Sequence, residues 1–163
     1  MGFGSYGVLS LESAGRAALM TVFFTYLAGF GVKAAIMPLH GWVPDAHPAA
    51  PSPASALLSG VILKAGAFGI IRVCFNVFGV DLMRELKVYV VMAVLACITI
   101  VVASVFALTQ DNLKRRLAYS SIGQVSYIIL GLSMLSYDGT LGGVMHLTHH
   151  ALMKGCLFLC AGV

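Results

Sequence analysis

Long apolar runs separated by short polar connections are the dominant pattern of this chain. A helix of about 20 apolar residues crosses a bilayer, and five runs approach that length: residues 17–37, 54–78, 88–108, 117–134 and 140–163. The pattern therefore predicts an all-α integral membrane domain over residues 17–163, with about five transmembrane helices. Residues 1–16 form a lead rich in glycine and serine that falls outside this pattern.

Composition supports the membrane assignment and narrows the range of functions. Only 10% of the 163 residues are charged and 60% are hydrophobic, whereas a soluble domain carries about 25% charged residues. The net charge of +4 is dispersed, without the basic stripe that would indicate nucleic-acid binding. The four cysteines lie inside apolar runs and are interpreted as buried hydrophobic residues. No cofactor or metal is predicted.

All five prolines lie in the first connection, residues 38–53. Proline removes a backbone donor and clashes with the carbonyl four residues before it, so Pro38 should break the first helix around residues 36–39. Pro51 and Pro53 suit the start of the next helix, where Asp45 or Ser52 is expected to cap exposed amides.

Basic residues near the third connection predict the orientation of the helices. Lys114, Arg115 and Arg116 lie within residues 109–116, and short loops rich in Lys and Arg stay on the cytoplasmic side. Alternating crossings then place residues 38–53 on that same side and residues 79–87 on the opposite side.

Two lysines lie where a bilayer would disfavour charge. Lys64 comes ten residues into its run, about 15 Å along a helix. A cation near the bilayer centre costs at least about 2.5–3.5 kcal/mol and is a functional hypothesis by default; the alternative is a structural ion pair with another helix. Lys33 lies five residues before Pro38, where a broken helix is typical of transporter ion sites, although a Lys that snorkels to the interface is the alternative.

The last run carries titratable groups at helical spacing. His146, His150 and Lys154 recur every four residues, which places them on one face of a helix. Such a row at membrane depth is a plausible proton relay, and the alternative is hydrogen bonding between helices. His149 points elsewhere and is a secondary candidate, as is Gln124 on the polar fourth run.

The string from His146 to His150 also resembles the histidine box of membrane di-iron oxygenases. That chemistry needs ligands from several boxes, and the sequence contains no second box. A metal oxygenase is therefore a remote alternative.

Four strings together resemble the antiporter-like membrane subunits: VKAAIMPLHGWVPDAH from Val32, APSPASALLSGVILKAG from Ala50, QDNLKRRLAYSSIGQ from Gln110 and HLTHHALMKGCLFL from His146. That family includes proton-pumping subunits of NADH:quinone oxidoreductase (complex I), Mrp-type sodium/proton antiporter subunits and membrane-bound hydrogenase subunits. The resemblance covers most of the chain from about residue 20.

The resemblance implies a function and its residues. Lys33 matches a lysine on a broken helix, and Lys64 matches a lysine on the next helix. His146, His150 and Lys154 match groups that link half-channels within a larger inverted-repeat bundle. The family's subunits move protons, or exchange sodium for protons, and have no redox centre of their own. Whether the chain belongs to an enzyme complex stays open.

The same resemblance implies surroundings and exposes two departures. Its partners would be other membrane subunits and lipid, in a prokaryotic inner membrane or an organellar energy-coupling membrane. The acidic residue that normally pairs with the first lysine is not visible, since Glu12 lies in the unmatched lead, and the second broken helix is also missing. The chain is therefore expected to be a fragment or a piece of a split subunit.

The histidines of the first connection have weaker assignments. His40 is expected to assist proton uptake from the cytoplasmic side, and His47 is as well explained as a surface residue. A scaffold that docks other subunits without transporting ions is the main alternative function.

Overall fold

The computed structural model describes residues 7–9 and 15–162, so Glu12 lies outside the described residues. These residues form α1 (Arg16–Ala34), α2 (Trp42–Ala49), α3 (Ser52–Leu57), α4 (Leu63–Arg72), α5 (Gly79–Glu85), α6 (Val88–Leu108), α7 (Leu113–Ser133) and α8 (Tyr137–Cys160). Two π-helical segments, Leu58–Ile62 and Val73–Phe78, make α3, α4 and α5 part of one helical run, Ser52–Glu85, which we call the Lys64 helix.

The predicted all-α membrane fold with about five long helices is confirmed. Among the described residues, α1, the Lys64 helix and α6 are long and apolar enough to cross a membrane. The helices α7 and α8 contain 21 and 24 residues, but polar side chains interrupt their apolar sequence. Several of these polar side chains are buried against neighbouring helices: Ser121, Ser126, His150 and Lys154.

The first helix ends earlier than the prolines predict. Ala35 adopts the left-handed conformation with a φ of 58°, and the amides of Ala35 and Ile36 bond to the carbonyls of Val32 and Gly31 at 3.2 and 3.0 Å. This is the Schellman arrangement that ends many helices. The break therefore starts at Ala35, before the predicted residues 36–39, because the helix is capped ahead of Pro38.

Polar groups freed by the break find partners on other elements. The Trp42 indole donates its Nε1–H to the carbonyl of Val32 at 2.8 Å. The amide of Met37 donates to the Thr99 hydroxyl of α6 at 3.3 Å, and Thr99 is fully buried. Non-helical backbone at membrane depth persists only where protein or water satisfies it, so Trp42 and Thr99 stabilise the break.

Three predicted connections contain helical structure. Residues 38–53 include α2, and residues 79–87 include α5. The basic residues expected in a loop lie instead in the first turn of α7, because the Asn112 side chain caps that helix by accepting from the Arg115 amide at 3.2 Å.

The predicted caps by Asp45 and Ser52 are wrong. The described helices α2 and α3 begin without a side-chain cap, and Ser52 is itself the first residue of α3. Pro51 and Pro53 do lie at the start of α3, as predicted. Asp45 instead forms an ion pair with Arg115 at 2.6 Å, because the first turn of α7 faces it.

Contacts between connections confirm the predicted arrangement of ends. The Arg115–Asp45 pair and a 3.3 Å bond from Lys114 Nζ to the Ala50 carbonyl join the α2 region to the start of α7. Arg84 donates to the Leu135 carbonyl at 3.3 Å, which joins the second and fourth connections. The first and third connections therefore lie at the same end.

A glycine sets the crossing of α1 with the Lys64 helix. A Cβ at Gly66 would lie 2.5 Å from the Ala34 nitrogen and 2.8 Å from the Lys33 carbonyl carbon. Only glycine permits so close an approach of two backbones. The crossing therefore places the backbone of Lys33 directly against the helix that carries Lys64.

We expect Gly66→Ala to destabilise the full-length subunit by roughly 1–3 kcal/mol, because the added methyl group must push two backbones apart. Unfolding by detergent titration of the purified protein measures the change. Gly142→Ala is the matched control, since nothing lies within 4 Å of a Cβ at that helical position. The control should be neutral or stabilising by up to about 1 kcal/mol, and equal destabilisation by both variants would contradict the crossing.

Thr99→Val should cost about 1–3 kcal/mol, because it keeps the side-chain shape and leaves the Met37 amide buried without a partner. The same unfolding titration measures it. Ser104→Ala on the same helix removes an exposed hydroxyl bonded only within the helix, to the Ile100 carbonyl at 2.7 Å. A shift within about 0.5 kcal/mol is expected for that control, and a neutral Thr99→Val would show that the break needs no support from α6.

Candidate functional site

Buried amines and imidazoles gather where α2, the Lys64 helix, α7 and α8 meet. Lys64 and Lys154 are only 4% and 3% exposed, His150 is 1% exposed, and His47 is fully buried. Together with the half-buried His146, these residues form what we call the Lys64 cluster.

Lys64 lies at the centre of this cluster. It is the second residue of α4, which follows the π-helical segment Leu58–Ile62. Its Nζ donates to the carbonyl of Ser59, five residues earlier. Its charge interacts with Lys154, His146 and His150. The structure therefore brings together Lys64 and the titratable row of α8.

The helix α8 presents that row inward. The rings of His146 and His150 are nearly parallel, with an interplanar angle of 4° and centroids 5.7 Å apart. One turn further on, Lys154 donates from Nζ to the Leu117 carbonyl of α7 at 3.2 Å. His149 is exposed, which agrees with its predicted direction away from the row.

His47 is the main correction to the predicted site. The sequence suggested a surface residue, but its ring is fully buried and stacks on Phe158 of α8 with centroids 4.4 Å apart. It interacts electrostatically with Lys154 and Lys64. The ring turns inward because α2 packs against α7 and the Lys64 helix: the Ser55 hydroxyl donates to the His47 carbonyl at 3.0 Å.

Two serines lie between Lys64 and Lys154, and the sequence analysis did not predict them as site residues. The hydroxyls of Ser59 and Ser121 lie 2.8 Å apart, and both residues are fully buried. Ser121 lies on the polar fourth run, where only Gln124 was a candidate. Ser59 carried one available signal, its position five residues before Lys64, but nothing in the pattern revealed the π-helical segment.

Gln124 lies beside the row, since its backbone interacts with His146. The Tyr127 ring meets His146 edge-on, with centroids 6.4 Å apart. Gln124 and Tyr127 also line a groove of about 260 Å³ on the outer side of α6 and α7. Gln124 therefore lies between the cluster and that groove.

Lys33 is not part of the cluster. Its side chain is exposed and lines a groove of about 360 Å³ with Thr25, Tyr26, Gly29 and Phe30. Although its backbone touches the Lys64 helix at Gly66, the Lys33 side chain faces this exposed groove, whereas the Lys64 side chain is buried.

The remaining candidates of the first connection are separated. His40 is half-buried, and its ring centroid lies 6.4 Å from that of Tyr119 on α7. Asp45 is exposed and paired with Arg115. Neither contacts Lys64 through a described hydrogen bond.

The cluster holds positive and neutral groups without a carboxylate. The five acidic residues within the described ranges are all exposed: Asp45, Asp81, Glu85, Asp111 and Asp138. Ring nitrogens of buried histidines also have no hydrogen-bond partner among the described residues: both of His47, both of His150, and Nε2 of His146. Burying unpaired charge is costly, which makes this region the candidate functional site.

The geometry disfavours a di-iron site. The string that resembles a histidine box splits across α8, with His146 and His150 inward and His149 exposed. In the described part of the chain, no three His, Cys, Asp or Glu residues are grouped to hold a metal ion. The nearby ammonium groups of Lys64 and Lys154 would repel a cation.

Comparison with known proteins identifies the family. A family model described as "NADH:quinone oxidoreductase/Mrp antiporter, TM" matches residues 5–163. The chain belongs to this family. Its members include antiporter-like membrane subunits, so the resemblance seen in the four strings is confirmed.

Relatives come from two kinds of complex. Hydrogenase-4 component B of Escherichia coli (strain K12) is 43% identical over 174 residues, covering 98% of this chain and 25% of that protein. NAD(P)H-quinone oxidoreductase chain 4 3 of Trichormus variabilis is 38% identical over 157 residues, covering 95% of this chain and 28% of that protein.

Solved structures share the fold. A chain of the Mrp complex from Dietzia sp. DQ12-45-1b matches with a TM-score of 0.83 and 28% identity, over 90% of this chain and 27% of that chain. A chain of the membrane-bound sulfane sulfur reductase, an archaeal respiratory membrane complex, matches with a TM-score of 0.80 and 34% identity, over 91% and 30%. This chain thus spans about a quarter to a third of the proteins it matches.

Proposed function

We propose that this chain provides the proton-conducting centre of an antiporter-like membrane subunit. Lys64, His150 and Lys154 would hold and pass the proton, and His146 would extend the path along α8. The observation that carries this proposal is the burial of two lysines and a histidine in one site without a buried carboxylate among the described residues.

Repulsion between the ammonium charges of Lys64 and Lys154 supports the proposal that this site gains and loses protons. Two ammonium charges in a poorly solvated site repel each other far more strongly than in water. Each is stabilised by a single described backbone carbonyl, that of Ser59 for Lys64 and that of Leu117 for Lys154. One shared proton satisfies this site better than two, so arrival of a proton at one lysine favours its departure from the other.

The histidines supply the intermediate steps. A neutral imidazole both donates and accepts a hydrogen bond, so it can take a proton on one nitrogen and release one from the other. The stacked rings of His146 and His150 precede Lys154 along α8 at successive turns. Their unpaired nitrogens would bind internal water in the proposed path, and His47 offers two more such nitrogens beside Lys154.

Lys33 and the helix break between Ala35 and Pro38 would act outside the Lys64 cluster. The exposed Lys33 faces a groove lined by α1, where we propose that it exchanges the proton with an acidic partner outside the described residues. Lys33 is thus assigned a gating role and Lys64 a conducting role. Accessory roles are proposed for His40 in proton uptake, Asp45 in anchoring α2, and Gln124 and His149 beside His146.

The partners follow from the relatives and stay part of the proposal. Relatives carry the names of hydrogenase and quinone oxidoreductase components, and structural neighbours come from an Mrp complex and a respiratory complex. We infer that this chain works with other membrane subunits, driven by a redox reaction or by exchange with sodium. The proton is the ion that the Lys and His groups suit, since both bind protons directly.

We expect Lys64→Met to reduce proton transport at least tenfold, because it removes the central titratable group and keeps an unbranched side chain of similar length. Transport is measured with a pH-sensitive dye in liposomes that contain the assembled complex with the full-length subunit. The driving force is the redox reaction or sodium gradient that the complex uses.

Lys87→Met, which removes an exposed lysine, is the matched control and should transport at the normal rate. Blue-native gels report assembly in parallel. Normal transport per assembled complex with Lys64→Met would refute the proposal, and reduced assembly with normal transport would indicate a scaffold. Transport that persists in choline medium without sodium would show that protons alone are carried.

A further inference from the structure

We propose that Ser59 and Ser121 form a hydroxyl bridge that couples Lys64 to Lys154. This inference rests on the proposed function, because it treats both lysines as proton carriers. The two serines would be positioning residues, since they act on the lysines through the backbone carbonyls that hold the ammonium groups.

The bridge is part of a continuous set of polar contacts among three helices: the Lys64 helix, α7 and α8. Lys64 Nζ donates to the Ser59 carbonyl, and the Ser59 hydroxyl lies 2.8 Å from the Ser121 hydroxyl. The Ser121 hydroxyl donates to the Leu117 carbonyl at 2.9 Å, and Lys154 Nζ donates to that same carbonyl at 3.2 Å. Each lysine is therefore one carbonyl away from the serine pair.

Counting hydroxyl protons gives the direction of the bonds. A serine hydroxyl has one proton to donate, and Ser121 uses its proton on the Leu117 carbonyl. Ser59 must then be the donor in the bond between the hydroxyls. In this orientation both hydroxyl dipoles point toward the carbonyl that also receives Lys154.

A second orientation is available without breaking any covalent bond. If Ser121 rotates its proton toward Ser59, Ser59 turns its own proton away, and Lys154 becomes the only side-chain donor to the Leu117 carbonyl. That orientation is favoured when Lys154 is an ammonium group, because a charged donor makes the stronger hydrogen bond. When Lys154 loses its proton, the carbonyl again favours the Ser121 hydroxyl, so the orientation of the pair follows the protonation of Lys154.

The π-helical segment transmits this change to Lys64. In a π turn each amide bonds five residues back, as the amide of Leu63 does to the carbonyl of Leu58. The same spacing separates Ser59 from Lys64, so the Lys64 ammonium folds back onto the carbonyl of the residue whose hydroxyl meets α7. Ser59 therefore contacts Ser121 through its hydroxyl and Lys64 through its carbonyl. A change in the hydroxyl contact acts on the same residue that stabilises the Lys64 charge.

Another buried serine on α7 shows what an uncoupled hydroxyl looks like. Ser126 is 1% exposed, and its hydroxyl donates to the Ile122 carbonyl at 3.1 Å within its own helix. Ser126 lies on the same helix as Ser121, is the same residue type and is nearly as deeply buried. Ser126 is therefore a matched control for the loss of a buried hydroxyl.

The test compares proton transport per assembled complex in liposomes for four serine variants. Ser59→Ala and Ser121→Ala should each slow transport roughly fivefold, which corresponds to the loss of about one hydrogen bond. The double variant should be no slower than either single variant, because the two hydroxyls act as one unit. Ser126→Ala should transport at the normal rate.

Rescue separates positioning from packing. Ser121→Thr keeps the hydroxyl and should restore at least half of the normal rate, whereas a packing defect would not be relieved by a larger side chain. Normal transport by Ser121→Ala, additive losses in the double variant, or an equal loss with Ser126→Ala would each overturn the bridge.

Lys64→Met measured alongside keeps the two hypotheses apart. If Lys64→Met abolishes transport and the serine variants are normal, the bridge fails and the proposed function stands. If Lys64→Met transports normally, the proposed function itself fails.

Discussion

The cost of holding an ammonium group away from water is the constraint on which the rest of this structure depends. Such a charge is tolerated only where hydrogen bonds compensate for its lost hydration, and the described residues offer no buried carboxylate for Lys64 or Lys154. Backbone carbonyls take that role instead. A carbonyl compensates a charge only in part, so the charge on each lysine is incompletely compensated by the described residues.

Irregular backbone surrounds one of those carbonyls, that of Ser59, and also ends α1 next to Lys33. In a regular helix the carbonyls are used by amides four residues on, but the π-helical segment before α4 and the end of α1 at Ala35 both depart from that ladder. Non-helical groups at membrane depth must be satisfied by protein, which explains the buried Thr99 beneath the break. Irregular backbone therefore accompanies Lys33 and Lys64, whereas Lys154 is held by a carbonyl of the regular helix α7.

Much of the fold could be predicted from the sequence, because membrane helices depend on apolar length. The third run, residues 88–108, coincides with α6, and the row of His146, His150 and Lys154 lies on one helix as its spacing requires. The inward position of His47 could not be predicted, because it depends on how α2 packs against α8 through Phe158. The Ser59–Ser121 contact was also beyond the sequence, since it joins residues 62 positions apart across a π-helical segment that leaves no periodic signal.

The crossing at Gly66 ties together two lysines whose side chains have different surroundings. The backbone of Lys33 lies directly against the Lys64 helix, because Gly66 has no side chain to keep the two backbones apart. The Trp42 indole holds the same end of α1 by donating to the carbonyl of Val32, the residue before Lys33. The Lys33 side chain nevertheless faces an exposed groove, whereas the Lys64 side chain is buried in the cluster. Close backbone packing at one glycine therefore fixes the relative position of two lysines without bringing their ammonium groups into one site.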